Sequence, residues 1–229
     1  MESRISPPIG FGHRGARAHA PENTIESFQL ALRLGATGLE SDVWLTADGV
    51  PVLDHDGRVR RRSIASIERA SLPEAIPSLE ELYAACGSDF ELSLDIKDRA
   101  AASSVVAVAR AAGGLGRLWM CHPDHEQVAE WRRLSDEVRL VDSTRLRKIK
   151  EGPERRAAKL AGAGIDAVNM HASDWTGGLT TLFHRFDRFC FGWDAQQDRV
   201  LRALLGMGID AVYSDHVDRM VTAIADFSR

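Results

Sequence analysis

Two carboxylates, Glu40 and Asp42, lie two residues apart in the run Leu39-Glu40-Ser41-Asp42-Val43. In a strand, residues i and i+2 point to the same face. The two acids therefore share one face, and Leu39, Ser41 and Val43 take the other. With helices covering the apolar face, the acids point inward, where two ionised carboxylates need a counter-charge. A hard divalent cation supplies one, because Mg2+ and Ca2+ prefer oxygen ligands. Pairing with arginines at a rim is the alternative. Asp95 and Lys97 repeat the spacing in Glu91-Leu92-Ser93-Leu94-Asp95-Ile96-Lys97. Asp95 is a candidate third ligand. Lys97 is a candidate point charge for a phosphate oxygen, or else half of an inward ion pair. His13 and Arg14 end another apolar run: histidine exchanges protons near neutral pH, and the Arg fork suits phosphate. His55, in Asp54-His55-Asp56, is the second candidate for proton transfer.

These side chains need elements to hold them. Eight short apolar runs read as strands: Ile9–His13, Gly38–Val43, Glu91–Lys97, Arg117–His122, Val138–Asp142, Asp166–Met170, Arg188–Trp193 and Asp210–Ser214. Amphipathic stretches lie between them, such as Thr24–Leu34, Leu79–Cys86, Ala101–Ala112, Glu154–Ala161 and Asp198–Leu205. Strands alternating with helices imply a parallel sheet. Eight units match a TIM (β/α)8 barrel in one domain, residues 1–229, better than a doubly wound open sheet. Barrel strands carry reactive groups at their C-terminal ends, where His13 stands. The first helix is expected to be capped by Asn23 with Glu26 three residues on, and stopped at Gly35. Asp48-Gly49 between extended runs predicts a small hairpin after the second strand, which returns His55 toward the acids. Ser143–Gly152 reads as irregular.

Composition narrows the classes. A formal net charge of −4 over 229 residues gives no basic surface for nucleic acid or an anionic membrane. Three widely spaced cysteines, Cys86, Cys121 and Cys190, lack a CxxC pair. That argues against a disulfide framework or structural zinc and for a reducing compartment. No run approaches the ~18 apolar residues of a membrane span, and the first residues form no apolar leader. The expectation is a cytoplasmic protein without stable membrane association. Its oligomeric state is not legible. The arginines Arg58, Arg60, Arg61 and Arg62 read as a solvated loop near the site mouth. His122, His171 and His216 each follow a strand, and none is singled out. His171 with Asp174 is read as a loop cap rather than a further site pair.

The run from His13 to Asp56 resembles the glycerophosphodiester phosphodiesterase family. The resemblance is carried by His-Arg-Gly, by Pro-Glu-Asn-Thr with a following Ser-Phe, by Glu-x-Asp, and by Thr-x-Asp-Gly-x-Pro-Val leading into His-Asp. It is weaker at Leu94–Lys97, Trp193 and Gly208–Asp215. It implies a TIM barrel that hydrolyses small-molecule glycerophosphodiesters to glycerol 3-phosphate and an alcohol. Glu40, Asp42 and Asp95 would hold one Mg2+ or Ca2+. His13 and His55 would be general acid and base. Arg14 and Lys97 would contact phosphate, and Trp193 would pack on glycerol. Three departures stand out. The third acid, usually Glu, is Asp95; Asp194-Ala195-Gln196 replaces Thr-x-Asn; and Cys121-His122 ends the fourth strand in place of Ser-Phe. The alternatives are action on lysophospholipids or cyclic phosphodiesters, or a non-catalytic module that binds glycerol phosphate.

Overall fold

A computed structural model describes residues 2–227 of the chain. Strand β1 (Ile9–His13) and helix α1 (Ile25–Arg33) lead into β2 (Gly38–Leu45), which turns back as β3 (Pro51–Leu53). The two-residue strands β4 (Arg58–Val59) and β5 (Arg62–Ser63) form a separate small ladder before α2 (Leu79–Cys86). Strict alternation follows: β6 (Glu91–Ile96), α3 (Ala102–Ala111), β7 (Leu118–His122), α4 (His125–Glu130), β8 (Arg139–Thr144), α5 (Pro153–Gly162), β9 (Ala167–His171), α6 (Gly177–Arg185), β10 (Phe189–Trp193), α7 (Asp198–Gly206), β11 (Ala211–Ser214) and α8 (Val217–Phe227). Eight strands pair in parallel in the order β1, β2, β6, β7, β8, β9, β10, β11. β1 bonds both β2 and β11, so the sheet closes into a (β/α)8 barrel. An open sheet would leave that edge unpaired.

The alternation along each strand separates two cores. Leu39, Val43, Leu92, Leu94 and Ile96 face the helices within one large buried cluster. Phe11, Trp119, Cys121, Val141, Phe191 and Tyr213 fill the barrel itself. Phe11 stacks on Tyr213 at 4.7 Å between centroids, and Trp119 meets Phe191 edge-on at 4.9 Å. This aromatic plug occupies the lower barrel, so the polar residues of the strands collect above it. Ser93 and Tyr213 mark the boundary, their hydroxyls 3.0 Å apart.

Three local expectations change. Asn23 does not cap α1. Thr24 does, accepting from the Ser27 N–H at 3.2 Å. Asn23 is buried in the left-handed region at φ 56°, and its side-chain oxygen accepts from the Ser41 hydroxyl at 2.7 Å. Asn tolerates that conformation better than most residues, and the tie to β2 outweighs its preference for a cap. β8 also runs past Asp142 to Thr144, into the stretch read as irregular. His171 does cap a short turn, accepting from the Ser173 N–H at 3.1 Å, but Asp174 turns instead to Arg145. The four arginines from Arg58 to Arg62 are exposed. The three cysteines are free. Among the described residues, no helix is long and apolar enough to cross a membrane.

A buried ion pair joins a strand to a helix. Asp142, fully buried on β8, accepts from Arg156 of α5 at 2.7 Å, and Arg156 also donates to Glu151 at 2.7 Å. Burial pushes the Asp142 carboxyl up despite its partner. Removing one member of a buried pair strands the other charge. Arg156→Met is expected to lower stability by about 3–5 kcal/mol, roughly 6–20 °C in Tm for a domain of this size. Asp142→Leu combined with Arg156→Met should recover much of that in urea unfolding. Equal losses in the single and double variants would show that the pair itself is not the cause. The Arg156 hydrogen bond also holds the Glu151 carboxyl down at about 2, below its ordinary 4.5. A depressed carboxylate contributes stability above its unfolded pKa and loses it as pH falls through the folded one. Glu151→Gln should therefore destabilise fully above about pH 4.5, with the cost shrinking steadily as pH falls toward 2. A cost that did not change with pH would contradict this.

Candidate active site

Register does most of the assembly. The β1–β2 pairing sets His13 beside Glu40, and the β2–β6 pairing sets Asp42 beside Asp95. Carboxylate oxygens of Glu40, Asp42 and Asp95 lie within 4.8 Å of one another at the C-terminal end of the barrel. The shorter side chain at Asp95 therefore still reaches the group. Lys97 follows β6 and sits between two of the acids, with Nζ 2.9 Å from Asp42 and 3.0 Å from Asp95.

The loop after β1 adds a second layer. Arg14 (φ 50°) and Gly15 (φ 84°) are both left-handed, and a Cβ on Gly15 would collide with the Ser27 side chain. This turn explains the His-Arg-Gly sequence. It aims the Arg14 N–H at Glu40, 2.9 Å away. The Arg14 fork reaches both oxygens of Glu22 at 3.1 Å, and its Nε lies 3.3 Å from Asp42.

His13 is fixed from the far end of the chain. Its Nδ1 lies 2.5 Å from Asp215, just past β11, and its Nε2 lies 3.8 Å from Glu40. Asp215 is oriented in turn: its N–H donates to Gln196 at 2.9 Å, and Arg17 lies 3.5 Å from its carboxylate. His55 is exposed at the mouth, with Nδ1 2.8 Å from Asp56, and no hydrogen bond joins it to the acid cluster. Trp193 is half-buried on the opposite wall, edge-on to His171 at 4.5 Å. All eight residues expected from sequence line one open cavity of about 560 Å³. His122, His171 and His216 do not line it.

Electrostatics follow from the crowding. Burial, with Asp42 and Asp95 close by, pushes the Glu40 carboxyl up to about 7. Burial works against protonated His13, but Glu40 and the Asp215 hydrogen bond outweigh it and raise its pKa. The same bond, with Arg17, holds Asp215 below the usual carboxylate range despite burial. Asp95 and Asp42 overcome burial to raise Lys97. Asp42 Oδ2 and Arg14 Nε are buried without hydrogen-bond partners. Three carboxylates converging on one space, one of them with a buried oxygen that accepts no hydrogen bond, form a donor set that suits a hard cation.

Sequence reading missed Asp215, Gln196, Arg17 and Glu22. Glu22 stood in plain view within Pro-Glu-Asn-Thr, and Asp215 at a strand end, but neither declared a partner. Asp215→Asn keeps the shape of the side chain and removes its charge. It is expected to lower turnover by about 10-fold or more through misorientation of His13, while divalent-cation affinity, read by calorimetry, stays within a few-fold. An equal fall in cation affinity would instead place Asp215 in the cation site.

The barrel thus brings an acid cluster, a carboxylate-tethered histidine and cationic side chains together at its C-terminal mouth, a set of groups that can hold a cation and an anion and move a proton. The glycerophosphoryl diester phosphodiesterase family model matches residues 13–66. The chain is 27% identical over 235 residues to the probable glycerophosphodiester phosphodiesterase 2 of Mycobacterium tuberculosis, covering 92% of this chain and 88% of that protein. It is 44% identical over 71 residues to a mouse glycerophosphodiester phosphodiesterase domain-containing protein 4, where the match spans 31% of this chain and only 10% of the mouse protein. Its fold is similar to that of a Silicibacter pomeroyi glycerophosphoryl diester phosphodiesterase (TM-score 0.87, 22% identity, 98% and 96% of the two chains). It is likewise similar to an Oleispira antarctica phosphodiesterase solved with the product sn-glycerol-3-phosphate (TM-score 0.84, 21% identity, 95% and 97%).

Proposed function

We propose that this protein hydrolyses glycerophosphodiesters to glycerol 3-phosphate and an alcohol with the help of one divalent cation, Mg2+ or Ca2+. The observation that carries the reading is the register that sets His13, Glu40, Asp42 and Asp95 side by side in one open cavity. Glu40, Asp42 and Asp95 would hold the cation. When bound, it would supply Lewis-acid polarisation of a phosphoryl oxygen. The chain's own groups do the rest. Lys97 and Arg14, already at the acid cluster, offer donors for charge that develops on the phosphoryl oxygens. His13, tethered through Nδ1 to Asp215, presents Nε2 for proton transfer, and His55 presents its ring from the mouth. One imidazole takes a proton from the attacking hydroxyl as its oxygen bonds phosphorus. The other gives a proton to the alkoxide as the phosphorus–oxygen ester bond breaks. The face of Trp193 offers an apolar surface to the carbon part of the substrate. The three free cysteines suit a reducing, cytoplasmic setting.

The test is release of glycerol 3-phosphate from glycerophosphocholine, glycerophosphoethanolamine and glycerophosphoglycerol, with Mg2+ or Ca2+ and again after exhaustive treatment with EDTA. Turnover that depends on added cation is expected. Turnover undiminished by EDTA would remove the cation from the mechanism. Failure to turn over any of the diesters would remove the activity.

A further inference from the structure

The wall of the cavity facing the acid cluster is also charged, and apart from Trp193 the reaction just described makes no use of it. The end of β8 and the residues just past it form it: Ser143 and Thr144 on the strand, then Arg145, and Lys148 in the short turn that follows. Asn169 on β9 and Trp193 on β10 complete it. Arg145 is locked in place. Its Nε and Nη2 donate to the two oxygens of Asp174 at 2.6 and 3.2 Å, and its guanidinium carbon lies 5.5 Å from the centre of the Trp193 ring. That leaves Nη1 without a partner among the described residues. The Lys148 ammonium likewise has no ion-pair or hydrogen-bond partner among the described residues, although Lys148 lines the cavity. Asn169 is 6% exposed, and its Oδ1 is buried without a hydrogen-bond partner. Its amide nitrogen is 3.4 Å from the Ser143 hydroxyl, which leaves the oxygen for a donor from elsewhere.

A buried acceptor without a donor is costly unless something fills the place. Two cationic side chains without a full set of partners beside it specify what the rest of that something carries. A hydroxyl group fits Asn169, and an anion fits Arg145 and Lys148. The arrangement is a built one: Asp174 and Trp193 hold the Arg145 fork in a single orientation, at little further entropy cost on binding.

We propose that this wall is a second anion subsite, and that the preferred substrate carries, beyond the scissile phosphodiester, a hydroxyl and a second negative group such as a carboxylate or phosphate. The inference rests on the scissile phosphate lying at the His13–Lys97 wall, as in the proposed function.

Binding without turnover tests it. 3-Phosphoglycerate is glycerol 3-phosphate with a carboxylate in place of one terminal hydroxymethyl group. Calorimetry in buffer with Mg2+ is expected to show it binding at least about tenfold tighter than glycerol 3-phosphate, the gain of a charge-assisted contact. In Lys148→Met the two ligands should bind within about threefold of each other, with glycerol 3-phosphate itself little changed. Lys148 is exposed, so the variant should fold. Equal affinities in the unaltered protein, a preference that survives in Lys148→Met, or no binding of either ligand would each overturn the inference. A protein that shows the binding preference yet hydrolyses no diester would keep the subsite and lose the proposed function.

Discussion

His13→Ala is expected to lower kcat on glycerophosphocholine by about 10³-fold, within the usual range for a proton-transfer group, while KM moves less than threefold. The geometry says why the loss falls on turnover. His13 is not placed as a substrate clamp: its Nδ1 is committed to Asp215 at 2.5 Å, and only Nε2 faces the cavity. Its removal leaves Glu40, Asp42 and Asp95 in place, held by the β1–β2–β6 register. Divalent-cation affinity should therefore hold or rise slightly, since one positive neighbour of Glu40 is gone. His55→Ala should also lower kcat, and an aryl ester separates the two roles. A p-nitrophenyl leaving group departs without protonation, so it rescues the variant that lacks the acid and leaves the variant that lacks the base impaired. Rescue of both would mean that neither removes the first proton. Unchanged turnover in either would end its claim to proton transfer.

Those two histidines also mark how far the sequence reached. Glu40 and Asp42 were legible because strand periodicity is local: five residues suffice to put two acids on one face. The hydrophobic alternation on β6 likewise placed Asp95 inward. That Asp42 and Asp95 stand shoulder to shoulder was not legible, because the pairing between β2 and β6 spans more than fifty residues and depends on barrel closure. The link between His13 and Asp215 joins the two ends of the chain and exists only because β1 bonds β11. Asn23 misled for the opposite reason. Its local preference for a cap was read correctly and then overridden by a tertiary bond to Ser41. The eight strands themselves emerged from runs of apolar residues; β1 keeps its expected bounds and the ends of the others shift by at most two residues, most at β8, where Thr144 remains in the ladder. The charged wall beyond β8 stayed hidden because Arg145 and Lys148 fall in a stretch without periodicity.

The acid cluster carries the last large effect. Saturating Mg2+ or Ca2+ is expected to raise Tm by roughly 5–11 °C, because a ligand at about 100 times its Kd adds about 2.7 kcal/mol and each kcal/mol moves a domain of this size by roughly 2–4 °C. Asp42→Asn should abolish that rise and lower turnover by at least about 100-fold. Without cation, the same variant should be as stable as the unaltered protein or more so. Asp42 is buried, its Oδ2 has no hydrogen-bond partner, and its charge helps push Glu40 up to about 7. Neutralising it relieves repulsion among three carboxylates that Lys97 and Arg14 only partly offset. The rival account gives those two cations the whole task of balancing the acids, with no metal at all. It requires that Mg2+ leave Tm unchanged and that Asp42→Asn destabilise, since Lys97 would lose its nearest partner. The two accounts thus predict opposite signs for one substitution measured without metal, and a pair of melting curves decides between them. A stable but inactive Asp42→Asn would mean that the fold tolerates a costly cluster of charge at this place because the chemistry needs it there.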